Sequence, residues 1–219
     1  MHKEFKFLMD KVDSASNPLF LEIEIDRLLN ISQDKFITKR AFGNNVRRTS
    51  FEEDQKRRDD LRTLIAQENI STSTATNAKP NAQHFELPAD YRHSINEEAF
   101  IKTNGDATSG RRVSVKPITH DRYNKIIDDP FNKPDINTVY RLGFGDGGNI
   151  CELIHGENQT IDIYYLRYLK VADEISGSQE PTLPLHTHRE IVRMAVVEAL
   201  EGIESQRYQS SKMELNEIE

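Results

Sequence analysis

The stretch that most constrains this chain lies near its end, at residues 183–208, reading LPLHTHREIVRMAVVEALEGIESQRY. Ile191, Val192, Ala195, Val196, Ala199, Leu200 and Ile203 recur at helical spacing, so one apolar stripe runs along a long helix. Thr187 stands at the N-cap position, and Glu190 follows three residues later, where its carboxylate can reach back to the cap amide. Pro184 keeps the preceding chain extended. Ala195 and Ala199 are small enough to let a neighbouring helix come close. Arg189, Arg193, Glu201 and Glu204 fall on the other faces. Such a helix cannot bury its stripe alone, so another part of the chain, or another chain, must cover it.

Composition narrows what that cover can be. The chain has 219 residues, of which 36% are hydrophobic and 30% charged. That is a modest apolar supply, suited to a protein that completes itself against copies or partners. The net charge of −7 argues against a dedicated nucleic-acid binder, which needs a surplus of Lys and Arg. Cys151 is the single cysteine, which excludes an intrachain disulfide and a cysteine-based zinc site. No run reaches membrane-span length. The opening MHKEFKFLMDKVD carries acids inside its apolar residues, unlike a signal peptide. These features predict a soluble product made in a reducing cytosol, with no membrane partner.

Read in order, Phe5, Leu8, Met9 and Val12 mark a short amphipathic helix. Asn17-Pro18 reads as a cap and first turn for a second helix, from about Leu19 to Arg40, whose face carries Leu21, Ile25, Leu28, Leu29, Phe36 and Ile37. Gly43-Asn44-Asn45 is a turn. Ser50 and Glu53 form a capping box for a third, mostly solvated helix running to Glu68. Residues 69–84, NISTSTATNAKPNAQH, are rich in Ser, Thr, Asn and Ala and read as a linker. Strands then follow at Arg111–Lys116, Val139–Phe144, Asn149–Ile154 and Ile161–Val171, with Ile161, Ile163 and Tyr165 alternating in the last. A short helix carries Tyr123, Ile126 and Ile127 and stops at Asp129-Pro130. The expected fold is α+β. A helical bundle, built from N-terminal helices in 1–68 and the C-terminal helix in 183–210, carries an inserted antiparallel β-sheet unit in 85–175, and 211–219 is a polar tail.

Few constellations suggest chemistry. The run Gly143-Phe144-Gly145-Asp146-Gly147-Gly148 would need a helix after it to cradle phosphate, and a strand pattern follows instead, so it reads as a hairpin turn. His186 and His188 are spaced i,i+2 rather than the i,i+4 of a helical metal pair. They read as dressing the start of the helix and its subunit contacts, with a hydrolase using them as the weaker reading. Cys151 lies among apolar strand residues, a poor setting for a catalytic thiol. No catalytic residue, cofactor or metal is therefore assigned. The basic residues Arg47, Arg48, Arg57 and Arg58, interleaved with acids, suit a contact with an acidic neighbour. A DNA-binding accessory protein using residues 39–58 is the alternative. Arg111 and Arg112 follow a glycine, as at a loop tip reaching an adjacent ring. Phe131 stands alone between Pro130 and Pro134.

Several stretches together resemble tailed-phage head–tail connector proteins, and most closely the ring proteins beneath the portal of crAss-like phages. They are LEIEIDRLLNISQDKFITKR, LPADY, VKPITHDRYNKIIDDPFNKP and IYYLRYLKVAD, followed by the C-terminal helix. The matching positions are Tyr165, Leu166, Arg167, Tyr168, Leu183, Pro184, His188, Ile191, Val192, Ala195, Glu201, Arg207 and Tyr208. The resemblance implies a structural virion component made in the host cytoplasm. It implies a homo-oligomeric ring, commonly of twelve copies, that meets the portal and adjacent ring or tail proteins. DNA passes through its channel without specific binding. Arg207 and Tyr208 join the expected interface on this ground.

Overall fold

The computed structural model describes residues 1–10, 20–43, 51–73, 79–103, 110–144, 149–177, 179, 181–202 and 212–213. In chain order these form α1 (His2–Asp10), α2 (Glu22–Phe42), α3 (Gln55–Leu61), β1 (Ile65–Ser73), β2 (Ala82–Glu86), β3 (Tyr91–Thr103), β4 (Gly110–Pro117), α4 (His120–Ile127), β5 (Val139–Phe144), β6 (Ile150–Ile154), β7 (Gln159–Lys170) and α5 (His188–Gly202). Short 3-10 turns lie at Phe51–Glu53, Arg62–Leu64 and Leu185–Thr187. Residues 65–171 make one compact unit, and residues 1–64 with 172–219 make the other.

The expectation of a helical bundle carrying an inserted antiparallel sheet is overturned. The dominant element is a closed seven-stranded barrel in the order β1-β2-β6-β5-β4-β3-β7, with β7 returning to β1. Nor is it wholly antiparallel, because β4 and β5 pair in parallel from Val115↔Val139 to Pro117↔Arg141. A parallel pair needs a long crossover, and α4 supplies it. The barrel also claims residues that read as helix and linker. Ile65–Ser73 is β1, and Ala82–Glu86 is β2. The helix expected up to Glu68 ends at Leu61, followed by one 3-10 turn. Here pairing overrides composition: from Ile65↔Leu169 to Ser71↔Ile163, each residue of β1 meets one of β7, and strand propensity is mostly such context.

Alternation places Ile70, Phe85, Ala99, Ile101, Val113, Val115, Val139, Cys151, Leu153, Ile161, Tyr164, Leu166 and Tyr168 inside the barrel. In β7 the expected series Ile161, Ile163, Tyr165 does not hold. Phe100 pairs with Ile163 while Ile101 pairs with Ile161, leaving Asp162 as the extra residue of a bulge. One extra residue moves the following side chains to the opposite face. Tyr164 therefore points inward, fully buried. Outside the barrel, α4 packs Tyr123, Ile126 and Ile127 against Tyr140, Leu142 and Ile154.

In the helical unit α5 packs on α2 and α1. Its stripe, Ile191, Val192, Ala195, Val196, Ala199 and Leu200, is buried. Phe5, Ile25, Leu29, Phe36 and Ile37 of α1 and α2 are buried in the same unit. Each such side chain contributes on the order of 1.5–3 kcal/mol when fully removed from water. The chain returning from the barrel is tied to α2: Asn30 Nδ2 donates to the Ile175 carbonyl (2.9 Å), the Ile175 amide donates to Asn30 Oδ1 (2.8 Å), and Gln33 Nε2 donates to the Asp173 carbonyl (2.9 Å).

The cap expected at Thr187 takes another form. Its hydroxyl donates to the Pro184 carbonyl at 2.8 Å, and the helix is preceded by a 3-10 turn. Glu190 is drawn elsewhere, to Arg40. At α2 the Asn17-Pro18 start lies outside the described residues. There the Leu21 amide donates to Glu24 Oε2 at 2.8 Å. The Ser50 cap also lies outside them, and Asp54 caps α3 by accepting from the Lys56 amide. Among the described residues, no helix is long and apolar enough to cross a membrane.

Candidate interaction surfaces

The surfaces of this protein rest on buried polar anchors in both units. In the helical unit Arg40 is buried. Its Nη2 donates to both Glu190 oxygens at 2.7 and 2.8 Å, and its Nε lies 2.8 Å from Asp60 Oδ2. The Nε contact is an ion pair rather than an aligned hydrogen bond. Asp60 Oδ1 lies 2.9 Å from His186 Nε2. One guanidinium thus ties α2, α3 and α5 together, a task for which its rigid fork of donors is suited. It also stacks on Phe36, 4.9 Å from the ring centre.

Inside the barrel, the Tyr164 hydroxyl donates to Glu97 Oε2 at 2.9 Å, and Arg141 Nε stands 2.8 Å from the same oxygen. The cation neutralises a carboxylate that would otherwise be stranded in an apolar interior. Burial, helped by the Glu97 charge, pushes the Tyr164 hydroxyl far above its usual range. Cys151 shares this interior. Burial pushes its thiol up to about 12, so it stays protonated and inert.

The outer face of β1, β3, β4 and β7 is a lattice of cross-strand pairs. Lys102 Nζ meets Asp162 Oδ2 at 2.6 Å, Arg112 Nη1 lies 3.3 Å from Glu98 Oε2, and Arg167 Nε donates to Gln67 Oε1 at 3.1 Å. Arg112 also stacks 3.7 Å over the Tyr165 ring. Exposed pairs of this kind fix geometry and local charge more than stability.

After α4 the chain presents Phe131. The Asp129 carboxylate accepts from the Phe131 amide (2.9 Å) and from Asn132 Nδ2 (2.7 Å), an Asx turn. Those bonds, the Asn132 one first, hold the Asp129 carboxyl below its ordinary range. The Tyr140 hydroxyl donates to the Asn132 carbonyl at 2.7 Å. The turn is pinned at both ends, and Phe131 is 95% exposed at its tip. Beside it opens a pocket of about 240 Å³ bordered by Pro80, Ile127, Pro134, Ile154, His155 and Gly156.

The residues expected at interfaces fall in both units. In the helical unit, Arg58 is exposed and Arg57 half-buried, 3.9 Å from Asp54. His186 is exposed beside Asp60, and His188 is half-buried with Nε2 2.9 Å from the Leu183 carbonyl. In the barrel unit, Arg111 Nη1 donates to Asn137 Oδ1 at 2.6 Å, and Arg112 and Phe131 are placed as above. Arg47, Arg48, Arg207 and Tyr208 lie outside the described residues. The basic stretch 39–58 loses Arg40 to the helical core, which weakens its reading as a DNA-binding face. The sequence reading missed Arg40, Asp60, Glu97 and Arg141, whose partners are too distant in the chain to pair by eye. It also left out the exposed Ile23 and Leu185, and it placed on the apolar helix face Leu21, which is exposed at the N-cap of α2.

The family described as phage tail ring protein 3/4, of crAss-like phages, matches residues 1–212 of this chain. No curated protein matches it.

Proposed function

The chain belongs to the phage tail ring protein 3/4 family, and from that premise we propose that it forms one ring of the head-to-tail connector beneath the portal. The ring extends the DNA channel and joins capsid to tail. Its partners are further copies of itself, twelve to a ring, together with the portal and the adjacent ring or tail proteins. The family match over residues 1–212 carries this reading. It makes the protein a structural component of the virion's tail.

Physical features support it. A ring needs heterologous contacts, in which one surface of a copy meets a different surface of the next. Both units expose large apolar side chains, Ile23 at 80% and Phe131 at 95% among them. Such groups are costly to leave in water and suit coverage on assembly. The net charge of −7 disfavours tight binding of DNA and so favours its passage.

The test is native mass spectrometry and negative-stain microscopy of the full chain, alone and with portal. The expected result is a closed ring in at least one setting and the chain's presence in purified virions. A chain that stays monomeric in both settings and is missing from virions overturns the proposal.

A further inference from the structure

The barrel closes on itself over a short span only. β1 and β2 pair at Thr72↔Phe85 and Ser73↔His84, whereas β7 pairs with β1 from Ile65 to Ser71. Past Glu86 the chain cannot prolong the β2 side of that ladder. The Leu87 amide is spent on the Asn149 carbonyl (2.6 Å), Pro88 has no amide hydrogen, and the Pro88 carbonyl accepts from the Tyr91 amide (3.0 Å). Among the described residues, no backbone group outside β7 bonds Ile65 to Ile70. Every second residue there turns its N–H and C=O toward an open edge, a row of groups that an added extended backbone would satisfy. Exposure agrees. Gln67, Glu68 and Asn69 are exposed in succession, although Glu68 pairs with the buried Leu166 and so belongs to the interior side. β3 has a comparable edge before Glu98, but its register breaks at Tyr91/His93 and at Ser94/Asn96, and such bulges blunt an edge. β1 runs unbroken from Ile65 to Ser71. Charge then selects the occupant. Glu68 makes no hydrogen bond or ion pair among the described residues, and Glu86 and Asp90 are exposed at the two ends of the run that leaves β2. Arg167, beside it on β7, is held by Gln67 on the opposite face.

We infer that the open edge of β1 takes up an extended, basic segment of another protein as an added strand. Main-chain bonds supply the affinity of such an addition, and side chains at alternate positions supply its specificity. A lysine or arginine opposite Glu68 gains a cross-strand ion pair. Apolar side chains two positions to either side of it lie over Ala66 and Ile70, which share the Glu68 face. A second copy of β1 pairing antiparallel about Glu68 would instead set two glutamates against each other, which is unfavourable. The inference stands on strand geometry and goes beyond the ring reading.

The experiment follows amide hydrogen exchange of the full chain by NMR, with and without the peptide Thr-Val-Thr-Lys-Thr-Val-Thr at millimolar concentration. In the free chain, alternate amides from Ile65 to Ile70 are expected to exchange fast. At ten times its Kd the peptide should slow them about tenfold. Glutamate in place of the peptide's lysine should weaken binding at least about fivefold, and Glu68→Lys in the protein should restore it. Protection of the Cys151 thiol reports that this variant is folded. N-methylation of every peptide amide should abolish binding. Uniformly slow exchange of Ile65 to Ile70 in the free chain, or no slowing by the lysine peptide, overturns the inference. Equal binding of the lysine and glutamate peptides overturns the basic partner. Slowing that follows protein concentration without peptide assigns the edge to a second copy and overturns it too. None of these outcomes decides whether the chain forms a ring, which native mass spectrometry reads separately.

Discussion

Arg40 carries more of the helical unit than its place in a basic stretch suggests. With Asp60 and Glu190 beside it, its charge is compensated within a buried site, and His186 completes the set. Replacing it by methionine strands two carboxylates against an apolar core. Breaking buried charge pairs in this way costs about 3–5 kcal/mol. Urea unfolding of Arg40→Met should show a loss of that order, and a change below about 1 kcal/mol would mean the network is solvated.

The second residue-scale prediction concerns Cys151. Its thiol is pushed from 9.0 to about 12 by burial, so the folded state holds the proton more tightly than the unfolded chain does. That contribution to stability is complete below about pH 9 and is lost as pH rises towards about 12. Tyr168, raised from 10.0 to about 12 by burial and its hydrogen bond to Asp90, adds a loss of the same sign. Tm should fall across this alkaline range, and Cys151→Ala should flatten the first part of the fall. The wild-type thiol should resist alkylation at pH 8 until the chain is unfolded. Rapid labelling of the native protein would contradict the burial.

At the scale of elements, α5 tests how tightly the helices fit. Ala195 is fully buried where α5 meets its neighbours. Ala195→Leu forces extra methylenes into a filled contact, at a cost of about 1–3 kcal/mol by chemical denaturation. A neutral result would mean that a void faces that residue. This helix was legible in the sequence because its stripe is local, with every apolar residue three or four positions from the next. The β5–β6 hairpin was legible for the same reason, its two apolar runs standing close together. β1 was not legible. Gln67, Glu68 and Asn69 are exposed, and Ile70 is its buried apolar residue, so the strand exists through backbone pairing with β7 nearly a hundred residues away. The Asp162 bulge was hidden too, since only the β3 register shows that β7 carries one residue too many. As for the candidate surfaces, the sequence pointed to Phe131 by the prolines around it, but the pocket beside it comes from four separate chain segments. The Thr187 cap failed because Arg40, a partner 150 positions away, binds Glu190 more strongly than a cap amide would.

The whole molecule divides into a barrel unit made from one continuous stretch and a helical unit made from both ends of the chain. Residues 65–171 start and finish on paired strands, Ile65 opposite Leu169, and they contain their own core. A unit with these properties should fold alone. The excised stretch is expected to show β-rich circular dichroism and one cooperative unfolding transition, with its Cys151 protected. A molten, alkylation-sensitive product would contradict that. The interior of this barrel is closed by side chains, so the assembled protein acts through its outer surfaces. The most direct measurement of that claim is a reconstruction of the head–tail junction in purified particles, with this chain traced. The account predicts a closed ring of identical copies around the DNA path. Finding the chain absent from the particle, or bound there as isolated single copies, would contradict it.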